Sequence, residues 1–262
     1  ASTYSMDGIL LVDKPSGKTS HDVVDTERRR LGTMKIGHAG TLDPLATGLL
    51  VLGVGRALRL LEFLQGHDKD YLFSARLGML TDSDDSTGTP AGETAVPARE
   101  ALEASMRPLR GDIVQRPPDY SAVKVAGRRL YQYARSGREV EAPERRVRVD
   151  VFELLSYEAP LARFRVRGSK GLYVRSLARD LGGHVTELRR TASGPFRVED
   201  AGPELLPMET AVRHLPELRV SEEDAVRFGH GITLPGDFAG PDVRVYCGAR
   251  FIGVGRRTDA GL

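Results

Sequence analysis

The chain has 262 residues, of which 40% are hydrophobic and 28% are charged. This balance is typical of a globular protein and excludes both a disordered chain and a coiled coil. Its apolar runs are far shorter than the roughly 20 residues that cross a membrane, so we expect no membrane association. Because Cys247 is the only cysteine, an internal disulfide is excluded and a reducing, cytoplasmic location is expected. No secretory signal is recognised, and residues 1–5 are interpreted as an extension without a role.

Positive charge is concentrated in one stretch of the chain. The net charge is only +2, yet residues 99–197 carry +9, while residues 67–98 and 198–262 carry −4 each. Arginine supplies most of the cations, and its planar group binds phosphate in a bidentate manner. The stretch therefore predicts a surface for a polyanion, most simply nucleic acid. A solvated charged face and a GC-rich coding bias are the alternatives.

Taken in chain order, the first hundred residues alternate short apolar runs with polar, glycine-bearing segments. The apolar runs predict buried elements, and the turn residues between them mark where each element ends. We predict a strand at 8–13, a turn at 14–17, a helix at 22–31 with Ser20 as its N-cap, a loop at 37–48, a strand at 49–54, a helix at 57–64, a strand at 71–77, a polar loop at 81–92 and a helix at 97–106.

The rest of the chain mixes strands and helices without the regular alternation of a parallel α/β protein. Residues 108–146 are rich in Arg, Pro and Gly, and a small β module begins near residue 216. Strands are predicted at 147–151, 164–167 and 172–174. A helix after residue 174 is predicted from four apolar residues at helical spacing, namely Leu177, Leu181, Val185 and Leu188. The pattern favours an α+β fold with a largely antiparallel sheet.

The sequence lacks the usual signatures of cofactor and metal chemistry. It contains no P-loop, and Gly53-Val-Gly55 lacks the third glycine of a dinucleotide fingerprint. The six histidines are scattered without the spacing of zinc ligands. No Gly-x-Ser-x-Gly elbow presents a nucleophilic serine. An enzyme with this sequence is therefore expected to work without a cofactor or a metal.

The most unusual segment is the glycine-bearing loop at 37–48. Its three glycines permit a ligand to approach the backbone closely, and Pro44 restricts the backbone of Asp43, which fixes the direction of the carboxylate. From the residues alone, two interpretations stay open. Asp43 is a functional carboxylate, or it caps a short turn that begins at Pro44. His38 is likewise either functional or simply a satisfied loop histidine.

Five sequence blocks resemble the TruB family of tRNA pseudouridine synthases and occur in the family's order. They are Gly8 to Ser20, Gly37 to Gly48, Asp68 to Tyr71 with Arg76 to Gly78 and Thr81-Asp82, Ser169 to Ser176, and Leu188 to Thr191 with Gly194-Pro-Phe196. The resemblance implies a pseudouridine synthase catalytic domain over residues 1–215 and a PUA-like RNA-binding module over 216–262. Because the chain stops at Leu262, we expect this module to lack the family's closing strand.

The resemblance also implies a reaction, in which the uridine at position 55 in the T loop of tRNA is flipped out and isomerised to pseudouridine. Asp43 would be the catalytic aspartate. Attack on the sugar C1′, attack on the base C6 and removal of a sugar proton all stay open. Tyr71 would stack on the uracil and serve as an acid–base group, and Arg175 would pair with Asp43 and keep it ionised. By residue type alone, Tyr71 is equally a half-buried strand residue and Arg175 a solvated residue of a first helical turn.

Four further positions match substrate-binding residues of the family. Tyr173 and Leu188 match positions that line the pocket, and Leu188 is equally the last core residue of the predicted helix. His38 matches the residue that occupies the RNA stack once the base is flipped. Asp85 matches an acidic position near the pocket.

The resemblance assigns tRNA as the partner. Residues 108–146, with Tyr120, Tyr131 and Tyr133, fall where the family carries a mobile insertion that grips the T arm. No obligate protein partner is expected, in contrast with the dyskerin branch, which uses a guide RNA and partner proteins. The alternative function is a tRNA-folding chaperone without essential catalysis.

Overall fold

The computed structural model describes residues 6–262, so the extension at residues 1–5 lies outside the described residues. In chain order the strands are β1 (Gly8–Lys14), β2 (Ile36–His38), β3 (Thr47–Val54), β4 (Lys69–Leu77), β5 (Met79–Thr81), β6 (Pro90–Glu93), β7 (Gly111–Gln115), β8 (Lys124–Val125), β9 (Arg128–Arg129), β10 (Arg145–Glu158), β11 (Leu161–Gly168), β12 (Gly183–Ser193), β13 (Phe196–Arg197), β14 (Glu217–Arg219), β15 (Asp242–Cys247) and β16 (Arg250–Arg256). The helices are α1 (Ser20–Leu31), α2 (Leu61–Gln65), α3 (Arg99–Met106), α4 (Leu130–Arg135), α5 (Val174–Asp180) and α6 (Glu222–Gly229). Over this described range, no helix is both long and apolar enough to cross a membrane.

One large sheet forms the body of the protein. Its strand order is β1-β3-β12-β4-β11-β10-β7, with β2 added beside β3 and β13 beside β12. Neighbouring strands pair in the antiparallel sense except β3 and β12, which run parallel. A separate sheet with the order β14-β15-β16 lies near the end of the chain. The predicted α+β fold with a largely antiparallel sheet is therefore confirmed.

An aromatic cluster at the centre of the large sheet holds the elements that carry the site. The ring of Phe164 on β11 lies 4.8 Å from that of Phe73 on β4 and 5.4 Å from that of Phe152 on β10, between ring centroids. Leu177 of α5 is fully buried in the same core. Burial of each such side chain stabilises the fold by about 1.5–3 kcal/mol. Strand β4 and helix α5 are consequently rigid supports for the residues that they present.

Helix α1 begins at Ser20, and its N-cap is Thr19 rather than the predicted Ser20. The Thr19 hydroxyl accepts the N–H of Asp22 at 3.0 Å, and the Asp22 carboxylate accepts the N–H of Thr19 at 2.9 Å. Ser20 is buried instead, and its hydroxyl accepts the N–H of Leu42 at 2.9 Å and donates to the Leu42 carbonyl at 3.2 Å. The start of α1 therefore clamps the loop that contains Asp43.

The helix predicted after residue 174 is shorter in the structure than expected. The prediction is wrong for its second half, which is a strand. Helix α5 stops at Asp180 and β12 begins at Gly183, where a Cβ would collide with the carbonyl oxygen of Arg76. Only glycine lets β12 approach β4 this closely. A β-bulge directly after Val185 lets both Val185 and Leu188 point inward. The bulge produces a three-residue spacing that imitates a helical period.

Three smaller predictions also differ from the structure. Residues 172–174, predicted as a strand, instead lead into α5: Tyr173, whose backbone is hydrogen-bonded by the Gln115 side chain, is the N-cap, and Val174 is the first helical residue. The helix predicted at 57–64 is a 3₁₀ turn, Gly55–Leu60, followed by α2. The polar loop predicted at 81–92 contains one end each of β5 and β6, which pair as a hairpin.

Candidate active site

Asp43 lies in the loop between β2 and β3, and a buried lysine fixes the shape of that loop. The ammonium of Lys14 donates to the carbonyls of Pro15, Lys18 and Pro44 at 2.9, 2.6 and 3.2 Å. Lys14 is completely enclosed, so these charged hydrogen bonds have little competition from water. The lysine therefore ties the end of β1 to the residue that follows Asp43.

The carboxylate of Asp43 is held by two hydrogen bonds from Arg175 on α5. Arg175 Nε lies 2.9 Å from Asp43 Oδ2, and Arg175 Nη2 lies 3.2 Å from Asp43 Oδ1. This fork fixes both the position and the plane of the carboxylate. The Arg175 side chain is 6% exposed, which overturns its interpretation as a solvated helix residue. The alternative that the Asp43 side chain only caps a turn is also overturned.

The third nitrogen of the Arg175 guanidinium donates hydrogen bonds to backbone carbonyls. Arg175 Nη1 donates to the carbonyl of Ser83 at 3.1 Å and to that of Tyr120 at 3.0 Å. Ser83 belongs to the loop after β5, and Tyr120 belongs to the segment between β7 and β8. Arg175 therefore joins the loop that contains Asp43 to two other segments, and its orientation depends on both of them.

Opposed influences act on the ionisation of Asp43. Burial raises the pKa of its carboxyl above the ordinary value, and the nearby carboxylate of Asp85 raises it further. The Arg175 guanidinium lowers this pKa, but the net direction remains upward. Asp43 therefore takes up a proton at higher pH than an exposed aspartate does. Arg175 is the main group that favours its ionised form.

A cavity of about 370 Å³ opens beside this ion pair. Six of the residues predicted from the sequence line it together, namely His38, Asp43, Tyr71, Tyr173, Arg175 and Leu188. They come from β2, the β2–β3 loop, β4, the N-cap and first turn of α5, and β12. Within residues 6–262, no group of three or more His, Cys, Asp or Glu side chains is arranged to hold a metal ion. The arrangement is that of a small pocket with one carboxylate at its wall.

Pairing between β4 and β12 places two pocket residues on a common face. Tyr71 is directly opposite Arg190, and Leu188 is opposite Phe73 on the next inward position of the sheet. Tyr71 is 9% exposed, so it is a buried strand residue that also presents part of its ring to the cavity. Leu188 is a strand residue at the cavity wall, and its interpretation as the end of a core helix is wrong.

His38 and Tyr173 add neutral groups to the cavity wall. Burial lowers the pKa of His38, and the nearby Arg190 cation lowers it further, so the imidazole is neutral at pH 7. Burial raises the pKa of the Tyr173 hydroxyl. The side-chain amide of Gln115 fixes the Tyr173 backbone, accepting its N–H at 3.0 Å and donating to its carbonyl at 3.2 Å.

Asp85 does not line the cavity, which contradicts its prediction as a substrate-binding residue. Its carboxylate is buried and accepts hydrogen bonds from the Ser83 hydroxyl at 2.7 Å, the Thr87 hydroxyl at 2.6 Å and the Thr87 N–H at 3.0 Å. These bonds shape the loop after β5. Asp85 acts on Asp43 through charge, as described above, and not through contact with the cavity.

Two family models match this sequence. Residues 28–174 match the TruB family pseudouridylate synthase N-terminal domain, and residues 216–262 match Pseudouridine synthase II TruB, C-terminal. The first match alone spans more than half of the chain. This chain belongs to the TruB family. The tRNA pseudouridine synthase B of Azoarcus sp. (strain BH72) is 41% identical over 280 residues, which cover 98% of this chain and 93% of that protein. The protein of the same name from Opitutus terrae is 47% identical over 204 residues, 75% of this chain and 85% of that protein.

Solved structures share the TruB fold seen here. A chain of the Cbf5-Nop10-Gar1 complex has a TM-score of 0.72 and 28% identity, and the match covers 95% of this chain and 78% of that chain. A chain of an H/ACA RNP bound to a substrate RNA containing 2′-deoxyuridine has a TM-score of 0.70, 26% identity, and coverages of 95% and 77%. Both matches extend over nearly the whole described chain.

An ion pair one helical turn from Arg175 stabilises the loop behind the cavity and was not predicted from the sequence. Arg179 Nη1 lies 3.0 Å from Asp84 Oδ2, and both side chains are largely buried. Asp84 adopts φ +62°, which is unfavourable for a residue with a side chain. The pair therefore stabilises a strained backbone next to Ser83, whose carbonyl accepts from Arg175.

Other residues around the cavity were also not predicted from the sequence. The structure adds Lys14 and Ser20, which hold the Asp43 loop, and Lys69 and Arg190, which line the cavity. A lysine directly after a buried strand was a signal for Lys14, because such a position demands polar partners. Nothing in the local sequence indicated the direction of the other three side chains.

Proposed function

We propose that this TruB-family enzyme converts uridine 55 in the T loop of tRNA to pseudouridine without a cofactor. The observation that carries the proposal is the Asp43–Arg175 fork at the wall of a cavity of about 370 Å³. Relatives that are 41% and 47% identical carry the name tRNA pseudouridine synthase B, which supports tRNA as the substrate. An ionised carboxylate held in one orientation is the group that such a rearrangement requires.

The cavity suits one extruded nucleoside. Its volume lies near the lower end of the range of about 300–1,000 Å³ for ligand pockets. A stacked uridine hides its glycosidic bond, so the base must leave the stack at a cost of a few kcal/mol. Stacking of the uracil on Tyr71 contributes about 1–3 kcal/mol and offsets this cost. Leu188 excludes water from the other side of the base, and His38 takes the vacated position in the RNA.

The rearrangement is an isomerisation in which no atom is gained or lost. The bond between C1′ and N1 breaks, the uracil turns, and C1′ forms a bond to C5. The C5 hydrogen leaves as a proton and N1 gains a proton. Asp43 begins the reaction by attack on C1′, by attack on C6, or by removal of a sugar proton. The hydroxyl of Tyr71 then exchanges protons with the turned base.

RNA binding is assigned to two parts of the chain outside the cavity. The insertion 108–146 grips the T arm, and the PUA-like module at 216–262 adds a second contact to the catalytic domain at 1–215. Exposed arginines in the β8–β9 hairpin of the insertion support this assignment. The enzyme acts in the cytoplasm, where its tRNA substrate is made, and needs no obligate protein partner.

A direct assay tests this function. Purified protein is incubated with an unmodified tRNA transcript, and pseudouridine is mapped by carbodiimide modification followed by reverse transcription. We expect one product, at position 55. Asp43→Asn keeps the shape of the side chain but removes its charge, and it should yield no product while binding tRNA within severalfold of the wild type. Asp25→Asn, on the exposed part of α1, serves as the matched control and should retain full activity. A product at another position would refute the assigned site.

The chaperone alternative makes a different prediction in the same assay. If the protein only folds tRNA, Asp43→Asn should leave tRNA refolding unchanged and no wild-type product should form. Turnover by the wild type that Asp43→Asn abolishes excludes a function without catalysis. The fork on Asp43 favours catalysis, because folding RNA requires no buried carboxylate fixed by an arginine.

A further inference from the structure

The wall of the catalytic cavity carries a surplus of positive charge. Besides Arg175, it is lined by Lys69, Lys170 and Arg190, whereas Asp43 is the one acidic residue of the lining. Arg175 already pairs with Asp43. Among the described residues, no carboxylate lies within ion-pair distance of the other three cations. The cavity therefore lacks the negative charge that would balance them.

The three cations lie beside the place assigned to the uracil. Lys69 is two positions before Tyr71 on β4, so the two side chains lie on the same face of the strand. Arg190 is directly opposite Tyr71 on β12. Lys170 is an exposed residue of the turn after β11 and lines the same cavity. The three cations therefore share one cavity wall with Tyr71.

Two of these cations are buried, and backbone carbonyls satisfy them only in part. Lys69 is 8% exposed and donates to the carbonyls of Gln65 and His67 at 2.7 and 2.6 Å, which leaves its third N–H. Arg190 is 2% exposed and donates through Nε to Leu49 at 2.8 Å and through Nη2 to Gly40 at 3.1 Å. The other N–H groups of the Arg190 guanidinium remain available to a ligand. A buried cation without a counter-ion is costly, and its retention indicates an anionic ligand.

The electrostatics of Lys69 agree with an anion site at this wall. Burial lowers the pKa of Lys69 to about 8, and the neighbouring Arg190 and Lys170 cations contribute to this decrease. A bound anion would reverse these effects and favour the charged ammonium. By linkage, the anion must then bind more weakly as the pH rises through this pKa.

We propose that Lys69, Arg190 and Lys170 form a subsite for a phosphate group that flanks the flipped uridine. This inference rests on the proposed function, because it takes a nucleotide as the occupant of the cavity. Uracil and ribose are neutral, so the phosphate is the only anionic group that a uridine nucleotide brings. The subsite would hold the nucleotide by its backbone while the uracil turns about the sugar. It thereby fixes the sugar without restraining the base.

Binding of small probes to the full chain tests the subsite without any turnover. Uridine, uridine 5′-monophosphate, uridine 3′-monophosphate and inorganic phosphate are titrated at pH 7 by calorimetry. We expect one monophosphate to bind at least tenfold more tightly than uridine, and the preferred isomer identifies which flanking phosphate enters the subsite. Equal affinity for uridine and both monophosphates would overturn the proposal. Because no reaction is needed, failure of catalysis and failure of the subsite are separable.

Three variants separate the subsite from general effects of charge. Lys170→Ala removes an exposed side chain and should weaken monophosphate binding about two- to fivefold. Lys69→Met should weaken it about tenfold or more, and it should abolish the loss of affinity between pH 7 and pH 9. The third variant is Arg190→Lys. Its control is Arg189→Lys, because Arg189 lies on the opposite face of β12 and pairs with Asp13 at 2.9 Å.

Arg190→Lys should weaken the monophosphate and leave uridine binding unchanged, whereas Arg189→Lys should change neither. If Lys69→Met unfolds the protein, the exposed Lys170→Ala still decides the matter. An unchanged monophosphate affinity in Lys170→Ala and Arg190→Lys would overturn the proposal.

Discussion

Replacement of Arg175 tests the central feature of the site, because it removes the fork and leaves Asp43 in place. Arg175→Ala eliminates two charged hydrogen bonds, of 2.9 and 3.2 Å, to the Asp43 carboxylate. Each such bond contributes about 1.5–3 kcal/mol. A loss of about 3–6 kcal/mol in the transition state corresponds to a decrease in kcat of about 10²–10⁴-fold. Arg175→Lys restores the charge but only one of the two bonds, so we expect a decrease of about 10–10²-fold.

The pH dependence provides a second, independent readout of the same change. Burial raises the pKa of Asp43 and Arg175 opposes that increase. Without the guanidinium, the carboxyl group holds its proton to higher pH. The acid limb of the kcat profile should therefore move to higher pH in Arg175→Ala and to an intermediate position in Arg175→Lys. Single-turnover kinetics with saturating enzyme should be used so that product release does not hide the chemical step.

The control for this series is Arg99→Ala. Arg99 is exposed on α3 and makes a long ion pair with Glu103, so its removal should change neither kcat nor the acid limb. The affinity for tRNA should stay within severalfold in all these variants. Near-native kcat in Arg175→Ala, or a large loss of kcat without any movement of the acid limb, would refute the assigned action of Arg175 on Asp43.

Four further changes test the rest of the structure. Replacing Arg128 and Arg129 by Gln should weaken tRNA binding and reduce the slope of log K against log salt by about 0.7–0.9 for each phosphate that the protein no longer binds, as measured by titrations at several salt concentrations. Lys14→Met leaves three carbonyl groups without their donor, at about 1–3 kcal/mol for each one that stays buried, and should lower the free energy of unfolding measured in urea by about 3 kcal/mol or more. Asp84→Asn, which tolerates the positive φ, should decrease kcat more than it changes KM, because it loosens the Ser83 carbonyl behind Arg175. Burial lowers the pKa of His67 below that of an unfolded histidine, so the unfolded state binds protons first, and the melting temperature should fall as the pH drops below about 6.5.

The sequence predicted which residues line the cavity better than it predicted the elements around them. Asp43, Tyr71 and Arg175 were found because each lies within a distinctive short motif, and the structure brings them to one cavity. The strand β12 was missed, because a bulge gave Val185 and Leu188 a helical spacing. The direction of the Arg190 side chain was also missed, because it depends on the register between β12 and β4. Such properties arise from pairing between segments more than a hundred residues apart, which local patterns do not encode.

Burial acts in opposite directions on the pKa values of two cavity residues, Asp43 and Lys69. Burial raises the pKa of the first and lowers the pKa of the second, so the protein alone disfavours both charges. A nucleotide that fills the cavity removes water from Asp43 and brings its own negative phosphate, and both changes favour protonation of the carboxyl group. Lys69 and Arg190 neutralise the phosphate where it binds, which limits its effect on Asp43. We therefore expect Arg175, whose fork needs no water, to keep the carboxylate ionised in the complex. An arginine suits this position better than a lysine, because its charge persists at any accessible pH even when it is buried.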